Sequence, residues 1–351
     1  MNTFPLTIKS NAFLGSWIED STNKQIFSTN LGAEIWLKSS HCSKIIFDWP
    51  NRTLAADQSR ILISIDGADF YSQILSERNI QLDLDPDSDH LIRIMTQAIT
   101  FVKAQTWNLS EFFLLKKISF NGQLTGAVPS RKNLVFIGDS IINGQKILPD
   151  SFDTSAHRPD KSWAYLLSEK LDFNNLRIAY GGTGITQRAN IYPPTAIDFI
   201  WNSALNVSRP IDYSQPLAGV IVNLGTNDRS ASSEEFSFSL KALLRELKKR
   251  FHETKIIVVE PFNGCFQDVF RKVFKDEKHI SLIENNHWNF EISDHGVHLS
   301  VNGQQQAAKT LLPLIEEGPL KDSNENHYRL PFESWPKNHP LPSQVGAGTS
   351  L

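Results

Sequence analysis

The sequence predicts two folded parts in series: an all-β sandwich over residues 1–128, then an α/β domain with a parallel five-stranded sheet over 129–318, followed by a partly packed tail, 319–351. Three observations carry this. Short apolar runs recur about every ten residues up to residue 128 with no helical stretch between them. Beyond it, apolar runs alternate with helical periodicity, which is the order of a parallel sheet with crossover helices. Between the two patterns, Gly122 to Lys132 is rich in Gly, Pro, Ser and charge, and the domain boundary is placed there.

In the first part the strand candidates are Glu34–Leu37, Lys44–Phe47, Arg60–Ile65, Ile80–Leu84, His90–Ile94 and Phe112–Leu115. Ile61-Leu-Ile-Ser-Ile65 and Ile80-Gln-Leu-Asp-Leu84 show a period of two, which predicts one dry and one wet face. Asp66-Gly67 reads as a tight hairpin turn. In the second part, strands are expected at 134–138, 176–180, 218–224, 255–260 and 280–284. The best helix runs from Ser232 to Phe251, opened by Ser232-Ser-Glu-Glu, with Phe236, Leu240, Leu243, Leu244, Leu247 and Phe251 on one face. A last helix is expected from Asn302 to Glu317.

Composition narrows the function classes. Of 351 residues, 35 are Lys or Arg and 38 Asp or Glu, a net charge of −3, and no long basic run occurs; nucleic acid is excluded as a partner, because phosphate binding needs concentrated positive charge. No stretch is long and apolar enough to span a bilayer, and the first ten residues lack the pattern of a signal peptide. The chain therefore reads as cytoplasmic with no membrane partner, a secreted protein trimmed of its leader being the open alternative. Cys42 and Cys265 read as reduced structural thiols. Oligomeric state is left open.

Chemistry concentrates in four blocks. Leu134 to Ile137 runs without a charge and ends at Gly138-Asp139-Ser140, the way a strand buried on both faces delivers a small nucleophile to its carboxyl end. Gly181-Gly-Thr-Gly184, Gly225-Thr-Asn-Asp228 and Asp294-His-Gly-Val-His298 follow in that order. Together these blocks resemble the SGNH (GDSL-type) hydrolase superfamily over roughly residues 131–316. The resemblance implies a flavodoxin-like hydrolase domain and acyl transfer without metal or other cofactor.

Acyl transfer needs a nucleophile, a base and donors aimed at the developing oxyanion. Ser140 offers the hydroxyl and His298 the imidazole. The Gly184 backbone N–H and the Asn227 side-chain amide are candidate oxyanion donors, and the resemblance adds the Ser140 backbone N–H. The superfamily commonly places an Asp three residues before the catalytic His. Here that position is His295, with the carboxylate one residue earlier at Asp294. Either the loop bulges so that Asp294 still orients His298, or a backbone carbonyl does so.

A small sandwich directly in front of such a domain is similar to carbohydrate esterase family 2, whose members remove acetyl groups from xylan and related sugars. Ser64-Ile-Asp-Gly67, the strand from Phe112 to Gly122 and Pro129 to Ser140 carry that similarity. It implies a jelly-roll-like first domain and an acetylated carbohydrate as substrate. Some members work with a Ser–His dyad, which suits the loop at 294–298. Trp288 and Trp163 are candidate platforms for a sugar ring, and the loop from Gly144 to Trp163 is expected to border the site. A lipase or thioesterase on other short acyl esters, or a catalytically silent carbohydrate-binding protein, are the alternative readings.

Overall fold

The computed structural model describes residues 1–50, 59–75, 79–99, 106–148, 154–187, 194–210, 215–293 and 296–321. Most of the expected tail, from residue 322, lies outside them.

The first part is antiparallel throughout. A four-stranded sheet (Asn2–Thr3, Lys117–Phe120, Lys44–Asp48, Asn79–Asp83) faces a six-stranded one built on Glu34–Ser40, His90–Ala98 and Arg60–Ile65. Their inward residues share one core, with Ile45, Phe47, Ile80 and Ile118 from one sheet and Ile35, Leu37, Ile63 and Ile94 from the other. Asn79–Asp83 alternates buried and exposed as its period of two predicts. At Asp66-Gly67 both residues have positive φ and the Ala68 N–H donates to the Ile65 carbonyl, a type I′ hairpin turn.

Arg60–Ile65 departs from the expectation. Leu62 and Ser64, predicted to face water, are 0% and 2% exposed. The second part of the chain covers that face: Leu62 and Met95 pack against Tyr165, and Arg93 lies over the Trp36 ring while bonding both Glu34 and the Tyr165 hydroxyl. A period of two reports which face is apolar, and a face of small or polar residues can still be buried against another domain.

The second part has a parallel sheet of strands β1 (Asn133–Gly138), β2 (Asn174–Ala179), β3 (Leu217–Asn223), β4 (Ile256–Val259) and β5 (Ile280–Ile283), in the order β2-β1-β3-β4-β5. That is the flavodoxin-like order, and it places the carboxyl ends of all five strands on one edge. Helix α1 (Trp163–Lys170) precedes β2, and α2 (Ala196–Trp201), α3 (Ser233–Arg250), α4 (Gln267–Phe274) and α5 (Val301–Glu316) follow. One face of the sheet packs against α2, α3 and α4, the other against α1 and α5. The expected capping box of α3 is formed: Ser232 Oγ accepts from the Glu235 N–H, and the Glu235 carboxylate accepts from the Ser232 N–H. Its Phe236, Leu240, Leu243, Leu244 and Leu247 stripe is buried as predicted.

Among the described residues no helix is long and apolar enough to cross a membrane. Cys42 and Cys265 are both free thiols.

Candidate active site

Strand β1 is buried at every position and stops at Gly138, where a side chain would collide with Ile142 and the Asn223 carbonyl. The chain turns at once. Asp139 Oδ1 accepts from the Ile141 N–H at 2.9 Å, and the Asn143 N–H bonds the Asp139 carbonyl. This places Ser140, 3% exposed, at the head of the turn on the carboxyl edge of the sheet.

The histidine arrives from the loop before α5. The Ser293 N–H donates to the His298 carbonyl at 2.7 Å and Ile292 pairs with Leu299, so the loop closes on itself like a hairpin. Its far end is fixed by Ser300, whose Oγ caps α5. The result is a hydrogen bond of 2.9 Å between His298 Nε2 and Ser140 Oγ, with His298 8% exposed. These two residues are 158 apart in sequence, and the structure brings them together as a nucleophile–base pair requires. Asp294 and His295 lie outside the described residues.

Asn227 follows β3, after Gly225. Gly225 has φ of +121°, and a β-carbon there would lie 2.7 Å from Pro261, so no side chain fits. Asn227 Nδ2 donates to Asp139 Oδ2 at 2.9 Å and to the Thr183 carbonyl at 2.8 Å. It thereby ties the turn of the nucleophile to the glycine loop after β2. Among the described residues, neither the Ser140 N–H nor the Gly184 N–H has an acceptor, so both are free to bond an incoming oxygen.

Two carboxylates missed at the level of sequence organise this region. Asp139 accepts from both Ile141 and Asn227. Asp228 is fully buried and accepts from the Ile185 N–H (3.0 Å), the Thr186 N–H (2.7 Å) and the Thr186 hydroxyl (2.7 Å). Burial pushes the Asp228 carboxyl above the usual range, and these bonds oppose that rise. The signal available in the sequence was the position of both residues: each adjoins a candidate site residue in a loop after a strand without a charged residue, where an unpaired carboxylate would be costly.

The two tryptophans separate. Trp163 is fully buried, edge-to-face with Phe136 and Phe262, each at 5.6 Å between centroids, so it is a core residue with no ring face for a sugar. It is the first residue of α1, and the Ser162 cap sets that turn against the sheet. Trp288 is half-buried and stacks against Phe290 at 5.6 Å.

Residues 136–280 match the family model described as GDSL-like lipase/acylhydrolase. No curated protein sequence matches the chain. Among solved structures, a family two carbohydrate esterase from Cellvibrio japonicus superposes with a TM-score of 0.74 at 16% identity, over 89% of this chain and 96% of that one. An acetyl xylan esterase from the rumen bacterium Butyrivibrio proteoclasticus gives 0.71 at 15% identity, over 90% and 99%. A salicylyl-acyltransferase from a tetracycline biosynthetic pathway gives 0.59 at 12%, over 88% and 96%. The resemblance to GDSL-type hydrolases and to the two-domain fold of carbohydrate esterase family 2 is borne out. The chain is similar to a hydrolase of that class.

Proposed function

We propose that this protein is a serine esterase that removes acetyl groups from a carbohydrate through an acyl-Ser140 intermediate. The observation that carries the reading is the buried 2.9 Å hydrogen bond between Ser140 Oγ and His298 Nε2, beside two backbone N–H groups with no acceptor among the described residues. A neutral imidazole in that position takes the serine proton as the hydroxyl attacks the ester carbonyl. The tetrahedral oxyanion is held by the N–H groups of Ser140 and Gly184 and by the Asn227 amide. His298 then protonates the departing sugar oxygen, and a water, activated by the same imidazole, hydrolyses the acetyl-enzyme to acetate.

Asn227 meets the oxyanion by exchange, since both of its N–H groups are already engaged. The Thr183 carbonyl is a neutral acceptor and the oxyanion a charged one, so the charged partner wins that N–H in the transition state. A bond gained only there raises kcat rather than lowering KM.

Acetylated sugar as substrate is supported by the fold shared with the two carbohydrate esterases above. The test is acetate release from 4-nitrophenyl acetate and from a peracetylated xylose, in metal-free buffer, by wild type and Ser140→Ala. Release from both esters by wild type alone supports the reading. A nitrophenyl ester series in which longer acyl chains turn over faster than acetate would move it to a lipase or thioesterase.

A further inference from the structure

Strand β2 is an edge of the parallel sheet, with β1 on one side and, among the described residues, no strand on the other. An edge strand exposes unpaired backbone groups unless something covers it. Here the sandwich covers it with side chains. Ser16 Oγ donates to the Arg177 carbonyl at 2.9 Å, and Asn30 Oδ1 accepts from the Ala179 N–H at 3.3 Å. The Arg177 guanidinium, whose pKa burial pushes down to about 10, lies under Gly32, where a β-carbon would be 2.7 Å from it.

Asn30 also reaches the residue after the strand. Its Nδ2 donates to the Tyr180 hydroxyl at 2.9 Å, and Thr29 Oγ1 sits 2.8 Å from the same oxygen. Tyr180 opens the glycine loop: its carbonyl accepts from the Thr183 hydroxyl at 2.6 Å and from the Thr183 N–H at 3.4 Å. The Thr183 carbonyl in turn accepts from Asn227. Asn30 itself is fixed on the sandwich. Its carbonyl accepts from Thr96 Oγ1 and its N–H donates to Ser28 Oγ, and the residue is 1% exposed. Hydrogen bonds joined by short covalent stretches therefore run from the first domain to Asn227, one of the three candidate oxyanion donors, and to the Thr183 carbonyl, whose peptide carries the Gly184 N–H of another.

We infer that Asn30 is a positioning residue for the oxyanion loop, so that the sandwich completes the catalytic site rather than merely adjoining it. The catalytic part of this inference rests on the esterase reading; the anchoring of the loop does not. Losing Asn30 removes both its bond to the Ala179 N–H and its bond to the Tyr180 hydroxyl, which is then held by the Ser203 carbonyl, Thr29 and Arg209; a shift of about 1 Å in a catalytic group can cost about a hundredfold in rate.

The test compares Asn30→Ala with Ser16→Ala in the full chain. Ser16 bonds the same edge strand and one Arg209 nitrogen, and has no direct bond to Tyr180, which it meets only through the other Arg209 nitrogen at 3.3 Å, so it controls for a weakened domain contact. Amide hydrogen exchange in a peptide covering 180–187 is read first, against one covering β1. Asn30→Ala should speed exchange in 180–187 and lower kcat for 4-nitrophenyl acetate about tenfold to a hundredfold with KM within about twofold. Ser16→Ala should lower Tm while leaving loop exchange and kcat unchanged. Unchanged loop exchange in Asn30→Ala, or equal falls of kcat in both variants, overturns the inference. If wild type hydrolyses no ester, the esterase reading fails and exchange alone decides whether Asn30 anchors the loop.

Discussion

Asn227 Nδ2 lies 2.9 Å from Asp139 Oδ2, so the candidate oxyanion amide is held by the residue immediately before the nucleophile. The carboxylate fixes which way the amide points: with oxygen and nitrogen exchanged, Asn227 would set an acceptor against an acceptor. Asp139→Asn presents an amide where two donors, Ile141 N–H and Asn227 Nδ2, need acceptors. Its kcat for 4-nitrophenyl acetate should fall about tenfold to a hundredfold with little change in KM. Asn227→Ala should fall further, by about a hundredfold to a thousandfold, the usual cost of one oxyanion donor. Steady-state kinetics on both variants checks the pair, and an unchanged kcat in Asn227→Ala contradicts the assignment.

Gly184 has no room for a side chain. A β-carbon there would lie 2.5 Å from Asp228 Oδ1, against a carboxylate already fixed by three donors of the same loop. Gly184→Ala should therefore displace the loop, removing most activity and lowering Tm. Asp228→Asn should also lower kcat, since an amide cannot accept from all three donors. Thermal melting and kinetics on purified variants check both.

Glu260 follows β4 and is fully buried, with Oε2 accepting from the Asn285 N–H at 2.8 Å and Oε1 without a partner among the described residues. Burial raises its pKa above the model-peptide value of 4.5. The folded state thus binds this proton more tightly than the unfolded one. Its contribution to stability is full at pH values below about 4.5 and is lost as pH rises through the higher folded pKa. Glu260→Gln does not titrate, so its Tm relative to wild type should climb with pH across that window and then level off. Melting curves from about pH 4.5 to 8 check this; a Tm difference that is flat or shrinks with rising pH contradicts it.

Trp163→Ala should destabilise the fold by about 3–5 kcal/mol, as removal of a large buried aromatic does. Trp163→Phe should leave KM for a peracetylated xylose unchanged, because the ring sits between Phe136 and Phe262 in the core. Urea unfolding and sugar-ester kinetics separate the two effects.

The parallel sheet and α3 were legible because burial on both faces and a capped amphipathic stripe leave strong local patterns. Ser140 and His298 were legible as members of ordered blocks, and their contact was an expectation that the topology of the sheet edge makes possible. Less could be read where burial depends on a partner far away in sequence. Leu62 looks exposed until Tyr165 packs on it, and Trp163 at the head of a helix looks available until the Ser162 cap turns it inward. Asn30 carries no local sign of its role, since its partners Ala179 and Tyr180 lie 149 and 150 residues away.

The most direct test of the account is to quench wild-type enzyme with acid during turnover of 4-nitrophenyl acetate and map the acetyl group by mass spectrometry, alongside Ser140→Ala. One acetyl on the peptide containing Ser140 is expected in wild type, and neither adduct nor turnover in the variant. Acetate release that persists in a folded Ser140→Ala protein, or an acetyl mapped to another residue, would contradict it.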